Sequence, residues 1–348
     1  MLERGDKAQR RSQQASEQTQ LTQARFAADK LDALALSTRH FIEVLSLQQQ
    51  LNWLAERATL EQQALATAQQ RAAQALVLQA DVARLERRLL QTSLDSARLQ
   101  GELELARRQL AMLWNAEPDF DRLSGDLSQL PLLPDEAQLQ QRLLQSPQLA
   151  LYLSQQRLAE SLLQLQAASA VADLRWSAGV RYNNEANSPS VLLGLSMPLQ
   201  NQARTTAQLD AATAAAGQAA LATEQQQRQL QLSLLGLLRQ LHSIRAEIRA
   251  TETRILPSAR AVLKATQQGY QSGAYDMTDL LAAQQELLDS QFSLLQLQQR
   301  FHLQLTQLQR LTGFGLAQSG PVAFSPSPDV SLLAPVASAR AKELFDEN

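Results

Sequence analysis

Gly269–Gln284 reads GYQSGAYDMTDLLAAQ, and it breaks a chain that otherwise runs in long helical patterns. Before it, Leu230, Leu234, Leu237, Leu241, Ile244 and Ile248 step alternately by four and three. After it, Leu280, Leu287, Leu294, Phe301 and Leu308 step by seven, flanked by Leu281, Leu288 and Leu295. A period near 3.5 residues makes packed helices supercoil left-handedly. Gly269 and Gly273 punctuate the run, and Asp276 and Asp279 suit the first turn of a new helix. The stretch is therefore a tip between two rods. The rod before it, from about Arg204 to Gln268, is expected to be roughly 95–100 Å long.

The 348 residues include only 12 glycines and 11 prolines, the balance of long helices rather than of a compact mixed fold. The net charge of −2 gives no reason to expect nucleic acid as a partner. There is no cysteine, and His40, His242 and His302 lack ligand spacing. No triad, P-loop or dinucleotide fingerprint is present, so neither an enzyme nor a cofactor is expected. No apolar run is long enough for a transmembrane helix, and MLERGDKAQRR has no apolar region of the kind a signal peptide needs.

The tip has a forerunner. Asp279 matches Asp81 at an offset of 198, and the same offset pairs Leu288 with Leu90, Leu303 with Leu105 and Leu308 with Leu110. Leucine and glutamine matches are cheap in this composition; the shared aspartate and the single register make duplication the better reading. In the first copy Leu78, Val82, Leu85, Leu89, Thr92, Ser96, Leu99, Leu103, Ala106, Leu110 and Leu113 carry the same heptad seam. Trp53 and Trp114 read as packing residues.

Between the copies the period changes to two. Leu174, Trp176, Ala178, Val180 and Tyr182 alternate with Arg175, Ser177, Gly179 and Arg181. After the polar NNEANSPS, Val191, Leu193, Leu195, Met197 and Leu199 interleave with Leu192, Gly194, Ser196 and Pro198. This predicts a β-hairpin over 174–199. Trp176 and Tyr182 share its apolar face, as aromatics do near the two interfaces of an outer-membrane strand; a hairpin covering a soluble core fits the pattern equally. In lipid such strands must close into a barrel, which one hairpin per chain does only with other strands and other copies.

Together these pieces resemble the TolC family of outer-membrane efflux proteins, in its RND-type, cobalt-zinc-cadmium-like branch. VLLGLSMPL is similar to the family's second-strand motif and RILPSAR to the motif partway down the long helix. YQSGAYDMTDLLAAQQELL is similar to the tip, and LQRLTG to the helix end. GDL at Gly125–Leu127 and SPQL at Ser146–Leu149 fall at the mid-chain connection. The resemblance covers residues 1–315.

It implies a mainly α fold of long antiparallel coiled-coil helices forming an α-barrel, with short transmembrane β-strands and two tandem repeats. Residues 1–117 would be the first repeat, 118–146 the connection, and 147–315 the second repeat, with its helical hairpin at 201–313. Residues 316–348 would be a flexible tail. The implied function is a passive outer-membrane conduit with a periplasmic extension. It would assemble as a homotrimer with outer-membrane lipid around it and dock on a periplasmic adaptor that joins it to an inner-membrane pump. Docking carries over to Ser272, Gly273 and Ala274, with Ala75 where the first repeat would have its glycine. Asp279 and Asp81 match the family's tip carboxylates, which narrow the entrance. Ala282 stands where some relatives have a second aspartate, which implies a weaker acidic ring. Helix capping explains Asp276 and Asp279 as well, and Tyr270 reads as a packed hairpin residue before it reads as a gate.

Met1–Lys7 aligns with Leu199–Thr205, so the first repeat lacks a counterpart to residues 118–198. That pattern is expected of an N-terminally truncated channel. A soluble coiled-coil scaffold, or a non-functional fragment of a channel, is the alternative. A periplasmic adaptor would have one helical hairpin and more strand.

Overall fold

The computed structural model describes residues 3–75, 77–183, 188–197, 202–313 and 315. Helices α1 (Lys7–Ala73) and α2 (Gln79–Met112) form a first antiparallel hairpin. A connection then carries a short helix, α3 (Glu136–Leu144), before α4 (Pro147–Ser169). Strands β1 (Arg175–Asn183) and β2 (Ser188–Ser196) follow. Helix α5 (Gln202–Ala250), a π turn (Thr251–Ile255) and α6 (Leu256–Ser272) run on as one rod, and α7 (Met277–Thr312) returns beside it. The tail 316–348 lies outside the described residues.

The rods match the heptads, with one departure. The second long helix spans Gln202–Ser272, but not as the uninterrupted α-helix that its spacing predicts. Its ladder widens at Thr251–Ile255, just ahead of Pro257. A proline in a helix has no N–H to give and its ring meets the carbonyl four residues earlier, here that of Thr253. One wider turn relieves both problems without breaking the rod.

Burial follows the seams. Leu230, Leu234, Leu241, Ile244 and Ile248 of α5 pack with Phe301, Leu305 and Leu308 of α7, and with Leu139 and Leu143 of α3. Leu45, Leu54, Leu99, Leu103 and Leu110 form the matching core of the first hairpin. Near the tips, Ala68, Val82 and Leu85 of the first hairpin meet Met277 of the second, with Tyr270, Leu280 and Leu281 around them. The two hairpins thus share a core at their tips.

The connection is pinned rather than loose. Gln48 of α1 is buried, and its amide pairs with both the N–H and the C=O of Leu123, at 3.0 and 3.1 Å. Nε2 of His302 donates to the carbonyl of Leu127 at 3.0 Å, and burial lowers this imidazole from its ordinary value. Ser146 caps α4 by accepting from the N–H of Leu149, and Pro147 takes the first helical position, where no N–H is missed. At the far end, the nearly buried Lys7 donates to the carbonyl of Val171 at 2.6 Å and to Asp173 at 2.7 Å. These bonds tie the start of α1 to the chain entering β1.

In the β-hairpin Trp176 pairs with Leu195, Ala178 with Leu193 and Val180 with Val191, so the apolar residues of both strands, Leu192 apart, share one face. That face is bare: Leu193 is 80% exposed and Trp176 63%. Tyr182 holds its backbone place opposite Pro189, and its side chain lies outside the described residues.

Candidate functional site at the helix tips

At the second tip each unusual residue has a local task. Gly273 ends α6 in the left-handed region, at φ 79°, where an L side chain is strained. The N–H of Ala274 then reaches back to the carbonyl of Gly269 at 2.8 Å, satisfying the end of the helix. Gly269 leaves room for the ring of Tyr275, because a Cβ there would stand 2.1 Å from Cδ2. Asp276 and Asp279 form a reciprocal capping box. The N–H of Asp279 donates to Asp276 at 2.8 Å, and the N–H of Asp276 donates to Asp279 at 3.2 Å.

The first tip has fewer of these devices. Ala75 takes the glycine's place and still adopts φ 56°. Leu78 stands where Asp276 would, and no side chain caps α2. Asp81 binds Arg84 at 2.7 Å. Ser272, Gly273, Ala274 and Ala75 are all exposed, at the ends of their hairpins. Importing the missing devices should stabilise the first tip. Ala75→Gly is expected to gain about 0.5–1 kcal/mol, relief of left-handed strain outweighing the extra freedom of the unfolded chain. Leu78→Asp, at an exposed position, is expected to add about 1 kcal/mol through a new cap. A shift in the thermal unfolding midpoint reads both, and no shift refutes the strain argument.

The hairpins meet through polar and aromatic contacts that the sequence did not single out. The Arg71 guanidinium lies 4.8 Å from the centre of the Tyr270 ring. Arg88 of α2 donates to Gln285 of α7 at 2.9 Å. Higher up, Trp53 of α1 packs on Phe292 of α7 with ring centres 4.9 Å apart. Behind them Glu61 accepts from Arg57 at 2.9 Å and from Thr92 at 2.7 Å, inside the first hairpin. Trp53 is thus a packing residue, as its sequence context suggests. Trp114 departs from that reading: past the end of α2 it is 52% exposed, its ring 6.3 Å from that of Phe120.

Among the described residues no three His, Asp or Glu side chains are grouped to hold a metal, and no helix is long and apolar enough to cross a membrane. What the site offers is surface and charge at the end of a rod. The sequence profile described as "Outer membrane efflux protein" matches residues 138–314, half of the chain. The chain belongs to the outer membrane efflux protein family.

A relative within reach of sequence comparison is the cobalt-zinc-cadmium resistance protein CzcC of Cupriavidus metallidurans. It is 26% identical over 313 residues, covering 90% of this chain and 75% of CzcC. Among solved structures, the outer membrane protein VceC of Vibrio cholerae superposes with a TM-score of 0.77 at 17% identity, covering 89% of this chain and 77% of VceC. CusC, described in connection with transmembrane channel formation, gives 0.77 at 18% identity, over 89% of this chain and 75% of CusC. At such identities the superpositions establish the fold: long antiparallel helices of the α-barrel kind. The outer membrane efflux family is one of channels, and its members act in transport rather than catalysis.

Proposed function

We propose that this chain is the outer-membrane channel subunit of a tripartite efflux system, a passive conduit for metal cations or small toxic compounds. The observation that carries the reading is the efflux-family match over the β-hairpin and the second helical hairpin, in a fold whose first half holds another helical hairpin. The name of CzcC favours divalent metal cations as cargo. In this reading the chain works as a homotrimer. The bare face around Trp176, with Tyr182 at its other end, meets outer-membrane lipid, and the long helices extend into the periplasm.

Ser272, Gly273 and Ala274, with Ala75 in the first repeat, would receive the periplasmic adaptor, which links the channel to an inner-membrane pump. Their small size and exposure suit close approach of a partner helix. Asp279 and Asp81 would supply carboxylates to the entrance, and rings of acidic side chains favour cations at a constriction. Capping by Asp279 does not conflict with that role, because the N–H of Asp276 meets one of its two carboxylate oxygens. The repeats 1–117 and 147–315, the connection 118–146 and the tail 316–348 serve as the working division of the chain.

The test is deletion of the gene in its host, with the membranes fractionated. The protein is expected in the outer-membrane fraction, and its loss is expected to sensitise cells to Co²⁺, Zn²⁺ and Cd²⁺. A protein that stays in the aqueous fraction without detergent, with metal tolerance unchanged, would instead make it a coiled-coil scaffold.

A further inference from the structure

The β-hairpin has a second face. Opposite the apolar residues, Arg175, Ser177, Gly179 and Arg181 of β1 stand beside Ser196, Gly194, Leu192 and Ser190 of β2. All eight are exposed. Arg175 and Arg181 are six positions apart, about 20 Å along the strand. Between them the surface is low. A Cβ added to Gly179 would meet nothing within 4 Å, and one added to Gly194 would crowd the Ser177 hydroxyl at 2.8 Å. Two guanidinium groups therefore flank a floor of small residues, with Leu192 the one large apolar side chain on it.

No described carboxylate neutralises these arginines. Neither strand has an acidic residue. Asp173, at the foot of β1, already accepts from Lys7 at 2.7 Å and from the N–H of Arg4 at 3.2 Å. Glu185, in the loop, lies outside the described residues. Among the described residues neither arginine side chain has an ion-pair partner. A guanidinium cannot shed its charge, so both remain positive.

With the apolar face in lipid, alternation turns this face to the lumen of a barrel. β1 leaves the helices at Arg175 and reaches the loop after Asn183. Arg175 then stands at the helical end of the barrel and Arg181 near its outer mouth. Each copy around the axis adds the same two charges at the same two heights. Charges of one sign in a passage with low-dielectric walls concentrate the opposite ion. The planar fork of arginine also fits two oxygens of one oxyanion. We propose that the polar face of the β-hairpin forms two anion-binding tiers inside the barrel, at Arg175 and Arg181, which take small oxyanions such as phosphate and pyrophosphate. The inference rests on the channel reading and gives the exit the opposite sign to the entrance proposed at Asp279 and Asp81. Cations admitted at the tip leave through a section already holding anions, which screen them from the arginines.

The test is the current through single channels, with protein extracted from outer membranes in mild detergent and inserted into planar lipid bilayers. Pyrophosphate added on the side of the loops is expected to block the current. The block should fade as potassium chloride is raised, because salt screens the arginines. Arg175→Gln and Arg181→Gln should each raise the half-blocking concentration about tenfold, the low end for a hydrogen bond to a charged group. Lysine at either position keeps the charge without the fork and should raise it less. Arg228→Gln, which removes the same charge from an exposed site on α5, should leave the block as it is. A conducting channel that pyrophosphate does not block, or blocks equally after both arginines are replaced, would overturn the tiers and leave the channel reading in place. So would an equal shift for Arg228→Gln. Protein that inserts but carries no current would overturn both.

Discussion

Phe301→Ala is expected to destabilise the chain by about 3–5 kcal/mol, the range for truncating a buried aromatic. Phe301 is 0% exposed and sits where α3, α5 and α7 converge, with Leu139, Leu241 and Leu308 in the same cluster. The Arg245 guanidinium lies 5.3 Å from the centre of its ring, adding a cation–π contact that alanine also removes. Three helices line the space left behind, so none can collapse into it without pulling away from the others. The cavity cost therefore adds to the transfer cost. Phe301→Leu, which copies Leu103 at the equivalent place in the first repeat, should lose less, about 1 kcal/mol. Leu132→Ala, in the connection and almost fully exposed, should stay within about 0.5 kcal/mol. Thermal unfolding in detergent orders the three; equal shifts for Phe301→Ala and Leu132→Ala would refute the packing account.

The rods were legible because a heptad seam is written in residue type. Val82, Leu85, Thr92, Leu99, Leu103, Ala106 and Leu110 are all buried as their spacing requires. The ends of the same seam are not: Leu78 and Leu113 lie where the hairpin runs out of partner, and both are exposed. In α7 the strict sevens Leu280, Leu287 and Leu294 are only half-buried, while Leu288, Leu297 and Leu305 are buried. This helix packs on α5, α6 and α1 at once, so its apolar surface is wider than a two-stranded seam. The β-hairpin was legible for a similar reason, since alternation sets which residues share a face and fixes the register.

At the tip the residues were legible and their tasks only partly so. Gly273 and Asp276 punctuate helices in ways that sequence alone suggests. That Gly269 yields space to Tyr275 depends on where a side chain six residues away turns back. The short helix α3 offers too few turns to show a period, and the π turn leaves no mark beyond Pro257. The polar contacts between hairpins were invisible for a deeper reason. An arginine or glutamate on a helix reads as solvent-facing until a third helix covers it.

Glu61, held against Thr92 of α2 inside the first hairpin, is just as hard to read, and Glu61→Ala should cost about 3–5 kcal/mol, the penalty for leaving a buried charge without its partner. Glu61 is only 6% exposed, and its carboxylate takes hydrogen bonds from Arg57 and Thr92. Arg88 lies close enough to feel its charge, and burial lowers that guanidinium from its ordinary value. Alanine would leave Arg57 and the half-buried Arg88 near each other without the carboxylate between them. Replacing the pair together is a different experiment: Glu61→Leu with Arg57→Met removes both charges and fills the volume, and should be neutral or stabilising by about 1–4 kcal/mol. The second repeat supports that expectation, because it has Ala259 and Ile255 at the equivalent positions and folds the same hairpin without the pair. If the hairpin does not need the ions, their use lies in what packs on them. Arg57 and Arg88 face Trp53, Phe292 and Gln285, where α7 sits. The double variant should therefore keep or raise the unfolding midpoint while weakening the seating of α7. A midpoint as low as that of Glu61→Ala alone would show that the first hairpin depends on the ion pair after all.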